Sequence, residues 1–230
     1  TEVALYGLAY SIGMLVQLFI SGMNSALTPW MYSKIKKGDI RSMRKVLQLL
    51  SIVVVGIAVA LMLISPEMVL IFGSPKYREA VYVIPPVAAR VFFIFIYNIL
   101  SMPQFYYEKT QFLMAASMAA AGANVVLNFI FIRLFGYIAA GYTTLACYML
   151  YSVGHYIVSK QILVNEGIQE NLMNPGFLLA CSVFLIGASI ICNLIFPYRI
   201  LRYAILLASA GLVFWKKELL LKTMADIRKK

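Results

Sequence analysis

Residues 81–110 read VYVIPPVAARVFFIFIYNILSMPQFYYEKT, and this stretch decides how the chain is understood. From Val81 to Met102 it is almost entirely apolar. Such a run is long enough to cross a bilayer core of roughly 30 Å. One residue resists that setting. Arg90 falls about nine residues into the span, near its middle, where an Arg costs about 2.5–3.5 kcal/mol on insertion scales. Such a residue faces a bundle interior or a watery cavity. At about 100° per residue, Tyr97, Ser101 and Gln104 lie within roughly 40° of Arg90, with Asn98 on the flank. One face of the span is therefore polar. The tandem Pro85-Pro86 is expected to break the helix ahead of the Arg and to free backbone carbonyls for a wet or protein-lined site.

Composition supports the same class. Of 230 residues, 62% are hydrophobic, and mean hydropathy is +0.85. Soluble domains run about 45–50% apolar, so an all-α integral membrane protein is expected. The net charge of +11 would suggest nucleic acid in a soluble chain. Here the charges sit in loops and tail, and no nucleic-acid partner is expected. The cysteines Cys147, Cys181 and Cys192 lie in apolar runs, without metal-ligand spacing or an even count for disulfides. They read as packing residues.

Seven transmembrane spans are expected, at about 4–30, 46–72, 81–105, 112–134, 137–159, 176–196 and 199–216. The intervening charges alternate. The 34–45 loop, Lys109, Lys160 and the tail carry fourteen Lys and Arg, against five on the other side. The positive-inside rule then places the 34–45 loop and the C-terminus in the cytoplasm. A basic loop of this kind also fits a docking patch for anionic lipid headgroups. The tail from Lys216 reads as a basic amphipathic helix on the inner leaflet.

Polar residues within the spans form stripes. The first span aligns Tyr6, Tyr10, Gln17, Ser21, Asn24 and Thr28. The fourth aligns Ser117, Asn124 and Asn128, and the fifth aligns Gly141, Thr144, Tyr148, Ser152, His155 and Ser159. Spans one, three, four and five are thereby expected around a shared polar interior, with two and seven facing lipid. Two readings of the stripes stay open, a hydrated cavity or hydrogen-bonding glue between helices at about 1 kcal/mol a contact. The candidate substrate pathway is Gln17, Asn24, Arg90, Tyr97, Asn98, Ser101, Asn124, Asn128 and Tyr148. The small residues of MAASMAAAGAN at 114–124 are expected to form a packing seam. Gly136 and Gly141 suit a tight turn before span five. His155, the sole histidine, has no intramembrane carboxylate to relay protons with. No phosphate-cradling loop, HExxH or GxSxG appears, so neither an enzyme nor a cofactor is expected.

Several segments together resemble the C-terminal half of bacterial polysaccharide flippases, in the multidrug/oligosaccharidyl-lipid/polysaccharide exporter superfamily. They are ALYGLAYSIG at 4–13, NSALTPWMYSKIKKGD at 24–39, VIPPVA at 83–88, FYYEKT at 105–110 and NVVLNFIFIRLFGYIAAGYTTLACY at 124–148. Arg133 departs from the Pro frequent in that family, and Ala139-Ala140-Gly141 departs from its usual Gly-Ala-Ala. The resemblance implies two six-helix lobes around a central cavity and alternating access. It implies transport of an undecaprenyl-diphosphate-linked sugar repeat to the outer leaflet of the cytoplasmic membrane. On that match, residues 1–160 form an incomplete second lobe of five helices and 161–175 a cytoplasmic linker. Residues 176–216 form two additional helices and 217–230 the basic tail. The chain begins at Thr1 without Met and is expected to be part of a longer protein, with an N-terminal lobe as partner. Arg90, placed in such a cavity, is expected to engage the diphosphate. The alternatives are snorkelling to the outer headgroups or pairing with a carboxylate of that other lobe. A multidrug exporter, a membrane glycosyltransferase or polymerase and a non-transporting subunit are the competing functions.

Overall fold

A computed structural model describes residues 2–215. These form an all-helical bundle, in the order α1 (Glu2–Lys36), α2 (Ile40–Leu63), α3 (Ser65–Phe72), a 3-10 helix (Pro75–Tyr82), α4 (Ile84–Tyr106), α5 (Gln111–Phe135), α6 (Ala139–Asn165), α7 (Pro175–Ile195) and α8 (Arg199–Trp215). Five of them, α1, α2, α4, α5 and α7, are long and apolar enough to cross a membrane. The expected basic tail lies outside the described residues.

The helix boundaries correct three expectations. The basic 34–45 segment is mostly helix. Its turn is Lys37–Asp39, where Gly38 takes φ +67° and Asp39 caps α2 by accepting from the Ser42 amide. Lys34 bonds the same carboxylate at 2.6 Å and holds it below the usual carboxylate range. The second span, expected as one helix over 46–72, is interrupted at Ile64. Pro66 has no N–H to give the Met62 carbonyl. The Ser65 hydroxyl donates to that oxygen instead, at 2.8 Å. The third correction concerns Pro85-Pro86, which does not break a helix. The pair lies in the first turn of α4, where the missing N–H groups would have had no partner anyway.

Helix α4 is the axis of the bundle. It is buried without interruption from Ile84 to Ile96, enclosed by α1, α2, α6 and α7. Its approach to its neighbours is close. A Cβ at Gly13 of α1 would stand 2.5 Å from Val87 Cγ1, and one at Gly141 of α6 would stand 2.8 Å from Pro86 Cγ. Gly141 is thus a contact glycine inside α6, not a turn residue. Gly136 serves the turn, ending α5 at φ +75°.

Helix α2 does not face lipid alone, as expected. A 3.6-residue stripe of Met43, Leu47, Leu50, Val54, Ala58 and Leu61 is buried, with α4 as its main neighbour. Helix α5 is the opposite case: among the described residues it buries none of its own and has α6 as its only extensive neighbour. The expected small-residue seam is therefore not filled among the described residues. Met114 and Met118 are exposed, and a Cβ on Gly122 would meet nothing.

Helices α7 and α8 pack on the α2 side. The Arg202 guanidinium donates to both oxygens of Glu67, at 2.8 and 2.9 Å, and to the Leu63 carbonyl left open by the α2–α3 break, at 2.6 Å. Tyr203 donates to the same carboxylate. At the other end of the bundle Arg44 donates to the Asn171 carbonyl, at 2.6 Å. The 34–45 segment and the 166–174 linker therefore share one end, and α3, the 3-10 helix and the start of α8 share the other.

Candidate central cavity

A cavity of about 400 Å³ lies between α1, α4, α5 and α6. Its wall is aromatic and polar together. Five tyrosines line it, Tyr6, Tyr10, Tyr97, Tyr148 and Tyr151, with Arg90, Ser117, Asn124, Thr144 and Cys147. No Asp or Glu is among the lining residues. The four helices whose polar stripes were aligned in the sequence thus converge on one space.

Arg90 is 1% exposed. Its guanidinium carbon sits 4.5 Å from the centre of the Tyr10 ring and 5.5 Å from that of Tyr148. Attraction to aromatic faces reaches about 2 kcal/mol when the cation is desolvated. One terminal nitrogen donates to Gln17 Oε1 at 3.4 Å, and Nε has no partner. No ion pair involves it among the described residues. Because α4 begins at Ile84, Arg90 lies six residues from that end, about 9 Å at 1.5 Å per residue, nearer to it than to the middle of the helix. The side chain is turned into the bundle, against the snorkelling alternative.

The other expected pathway residues divide. Tyr97 and Tyr148 line the cavity with ring centres 6.1 Å apart. Asn124 lines it too, donating to Thr144 Oγ1 at 3.3 Å and accepting from Asn128 at 3.0 Å. Gln17 stands behind the wall as the partner of Arg90. Four residues do not reach the cavity. Asn98 donates to the Ile94 carbonyl and Ser101 to the Asn98 carbonyl, so both are spent on their own helix. Asn128 accepts from Thr143 and bridges α5 to α6. Asn24 is buried away from the lining, with its amide nitrogen unpaired.

The α6 stripe also divides. Thr144 and Tyr148 face the cavity. Further along, Ser152 donates to the Phe93 carbonyl and His155 Nδ1 accepts from Gln104 at 2.8 Å, so this half joins α6 to α4. One helix thus does both jobs, lining the cavity with Thr144 and Tyr148 and bonding to α4 with Ser152 and His155. Tyr10, the second tyrosine stripe residue of α1, and Tyr151 belong to the wall though neither was in the expected pathway. Tyr151 lies three residues beyond Tyr148, about 60° round the helix, which is the signal that could have found it.

The MatE family model matches residues 1–130, which carry α1 to most of α5 and, with them, Arg90, Tyr6, Tyr10, Tyr97 and Asn124. Comparison with curated proteins and with solved structures finds no match. The family match spans more than half of the chain, agrees with an all-helical multi-pass membrane bundle without enzyme motifs, and places it: this chain belongs to the MatE family of membrane transporters, within the multidrug/oligosaccharidyl-lipid/polysaccharide exporter superfamily.

Proposed function

We propose that this chain is one lobe of a flippase that moves a polyprenyl-diphosphate-linked oligosaccharide across the cytoplasmic membrane by alternating access, for cell-surface polysaccharide assembly. The observation that carries the reading is the Arg90 guanidinium, with Nε open and no ion pair among the described residues, in a cavity walled by five tyrosines and no acid. A guanidinium offers two parallel charge-assisted bonds to a phosphate. Tyrosine rings and the Asn124 and Thr144 side chains offer stacking and hydrogen bonds to a sugar. A cationic drug would meet Arg90 as a like charge, so the lining disfavours the multidrug reading. The enzyme and scaffold readings gain no residue from it.

The lobe presents the exposed faces of α1 and α5, with Leu18, Phe19, Met114 and Met118 outward, to membrane lipids and to an N-terminal lobe of the same protein. The end holding the 34–45 segment is cytoplasmic, as is the C-terminus. The reading is tested by deleting the gene and measuring lipid-linked oligosaccharide. Build-up in the inner leaflet, relieved by the wild-type gene and not by Arg90→Ala, is the expected result. Unchanged levels on deletion would remove the substrate assignment.

A further inference from the structure

The α5–α6 seam holds a second cleft. It has a volume of about 410 Å³ and lies at the end of the bundle that carries the 34–45 segment. Its polar lining comes from Glu108, Lys109, Gln111, Gln161, Asn165 and Glu166. Between this cleft and the central cavity stands a short aromatic partition. Phe112 lines the cleft and sets its ring edge-on to His155, with centres 5.4 Å apart. His155 packs edge-on to Tyr151 at 4.4 Å, and Tyr151 lines the cavity. A hydroxyl contact of 2.9 Å between Ser117 and Tyr151 ties α5 to α6 across the seam. Phe112 is seated over Gly154, where a Cβ would stand 3.2 Å from its ring tip.

The partition also contains polar atoms without partners. His155 and Gln104 are fully buried, and Ser159 is 1% exposed. The Gln104 amide donates to His155 Nδ1, which leaves the hydrogen of the neutral ring on Nε2. That Nε2, Gln104 Oε1 and Ser159 Oγ all lack a partner. Buried donors and acceptors are nearly always satisfied, and leaving them open is costly. Here one donor and one acceptor lie together beside a wall of aromatic rings, with one hydroxyl a helical turn further along α6, the set of groups that meets a sugar.

We propose that the second cleft is a further subsite for the hydroxylated headgroup, and that the Phe112–His155–Tyr151 stack is the gate between it and the central cavity. The substrate class rests on the flippase reading, and the gate does not. When the rings part, the open atoms of His155, Gln104 and Ser159 become hydrogen-bond partners for hydroxyls in transit, which favours the open state only when such a group is present.

The gate is tested with native Cys147, which lines the cavity, after every other cysteine of the full-length protein, Cys181 and Cys192 among them, is replaced by Ala. A membrane-impermeant thiol reagent is supplied to the full-length protein in vesicles, from the side that carries the 34–45 segment. Labelling is expected to rise about tenfold in Phe112→Ala, the weight of one desolvated aromatic contact. It is expected to rise about fivefold in Tyr151→Phe, which keeps the ring and loses one hydrogen bond. Wild-type rates in both variants, with Cys147 reactive on denaturation, overturn the gate. The subsite is tested by labelling Gln161→Cys, with Cys147→Ala added. Protection by a farnesyl-diphosphate-linked disaccharide, and not by farnesyl diphosphate alone, is expected. Equal protection by the two, or none, overturns the subsite and leaves the gate to its own result.

Discussion

Arg202→Met breaks the most buried ion pair among the described residues. The Arg202 side chain is 4% exposed and Glu67 is 27% exposed. The substitution removes a two-pronged pair and leaves both the Glu67 carboxylate and the Leu63 carbonyl short of a donor. Breaking a buried pair from one side costs about 3–5 kcal/mol, and the part-exposed Glu67 argues for the lower end, about 3. For a chain of this size that is roughly 6–12 °C in Tm. The pair between Arg44 and Glu170 is the internal comparison. It spans 3.9 Å with side chains 28% and 47% exposed, so Glu170→Gln is expected to cost under about 1 kcal/mol. Removing both charges with Arg202→Met and Glu67→Leu is expected to recover part of the loss, because no unpaired carboxylate remains. The assay is thermal unfolding of the detergent-purified protein followed by intrinsic fluorescence, with the double-mutant cycle closed. If Arg202→Met melts with Glu170→Gln, within 2 °C of wild type, the clamp contributes nothing and the account of the α2–α3 break is wrong.

Gly141→Ala places a Cβ 2.8 Å from the rigid Pro86 ring and is expected to destabilise by about 1–3 kcal/mol. Gly122→Ala, with open space around it, is expected to be neutral or to stabilise by up to about 1 kcal/mol, and equal melting of the two variants would contradict the close α4–α6 contact. Gly136→Ala forces a side chain to φ +75° and ψ −174°, at a cost of about 1–3 kcal/mol measurable in the same melt. Reporter fusions at Gly38 and Gly167 are expected on the same, cytoplasmic side, since Arg44 and Asn171 bond across that end. A periplasmic reading at either would overturn the topology.

The membrane class and the convergence of four helices on a polar interior were legible in the sequence. Both rest on strong signals, a long apolar run and polar residues at helical spacing. Which apolar face meets lipid was not legible, because lipid tails are as apolar as a leucine-rich helix partner. This is why α2 was expected in lipid though it packs on α4, and why the unbroken burial of α4 from Ile84 to Ile96 could not be read. Angle alone also misplaced Asn98 and Ser101. Both share the Arg90 face or its flank, but short side chains reach their own helix carbonyls before they reach a cavity. Ser65-Pro66-Glu67 carried a readable sign of the α2–α3 break, outweighed by the longer apolar runs before and after it. The Gln17–Arg90 contact joins residues 73 apart, and no local pattern announces such a pairing.

The central claim is that Arg90 holds the diphosphate of a lipid-linked oligosaccharide as it crosses. Its most direct measurement is the rate at which the full-length protein, reconstituted in vesicles, translocates a fluorescent polyprenyl-diphosphate oligosaccharide. Arg90→Lys, which keeps the charge and loses the paired geometry, is expected to retain part of the rate. Arg90→Ala is expected to lose at least about tenfold, since one charge-assisted hydrogen bond is worth about 1.5–3 kcal/mol and a decade is 1.4. Wild-type translocation by Arg90→Ala, at equal protein in the vesicles, would contradict the claim.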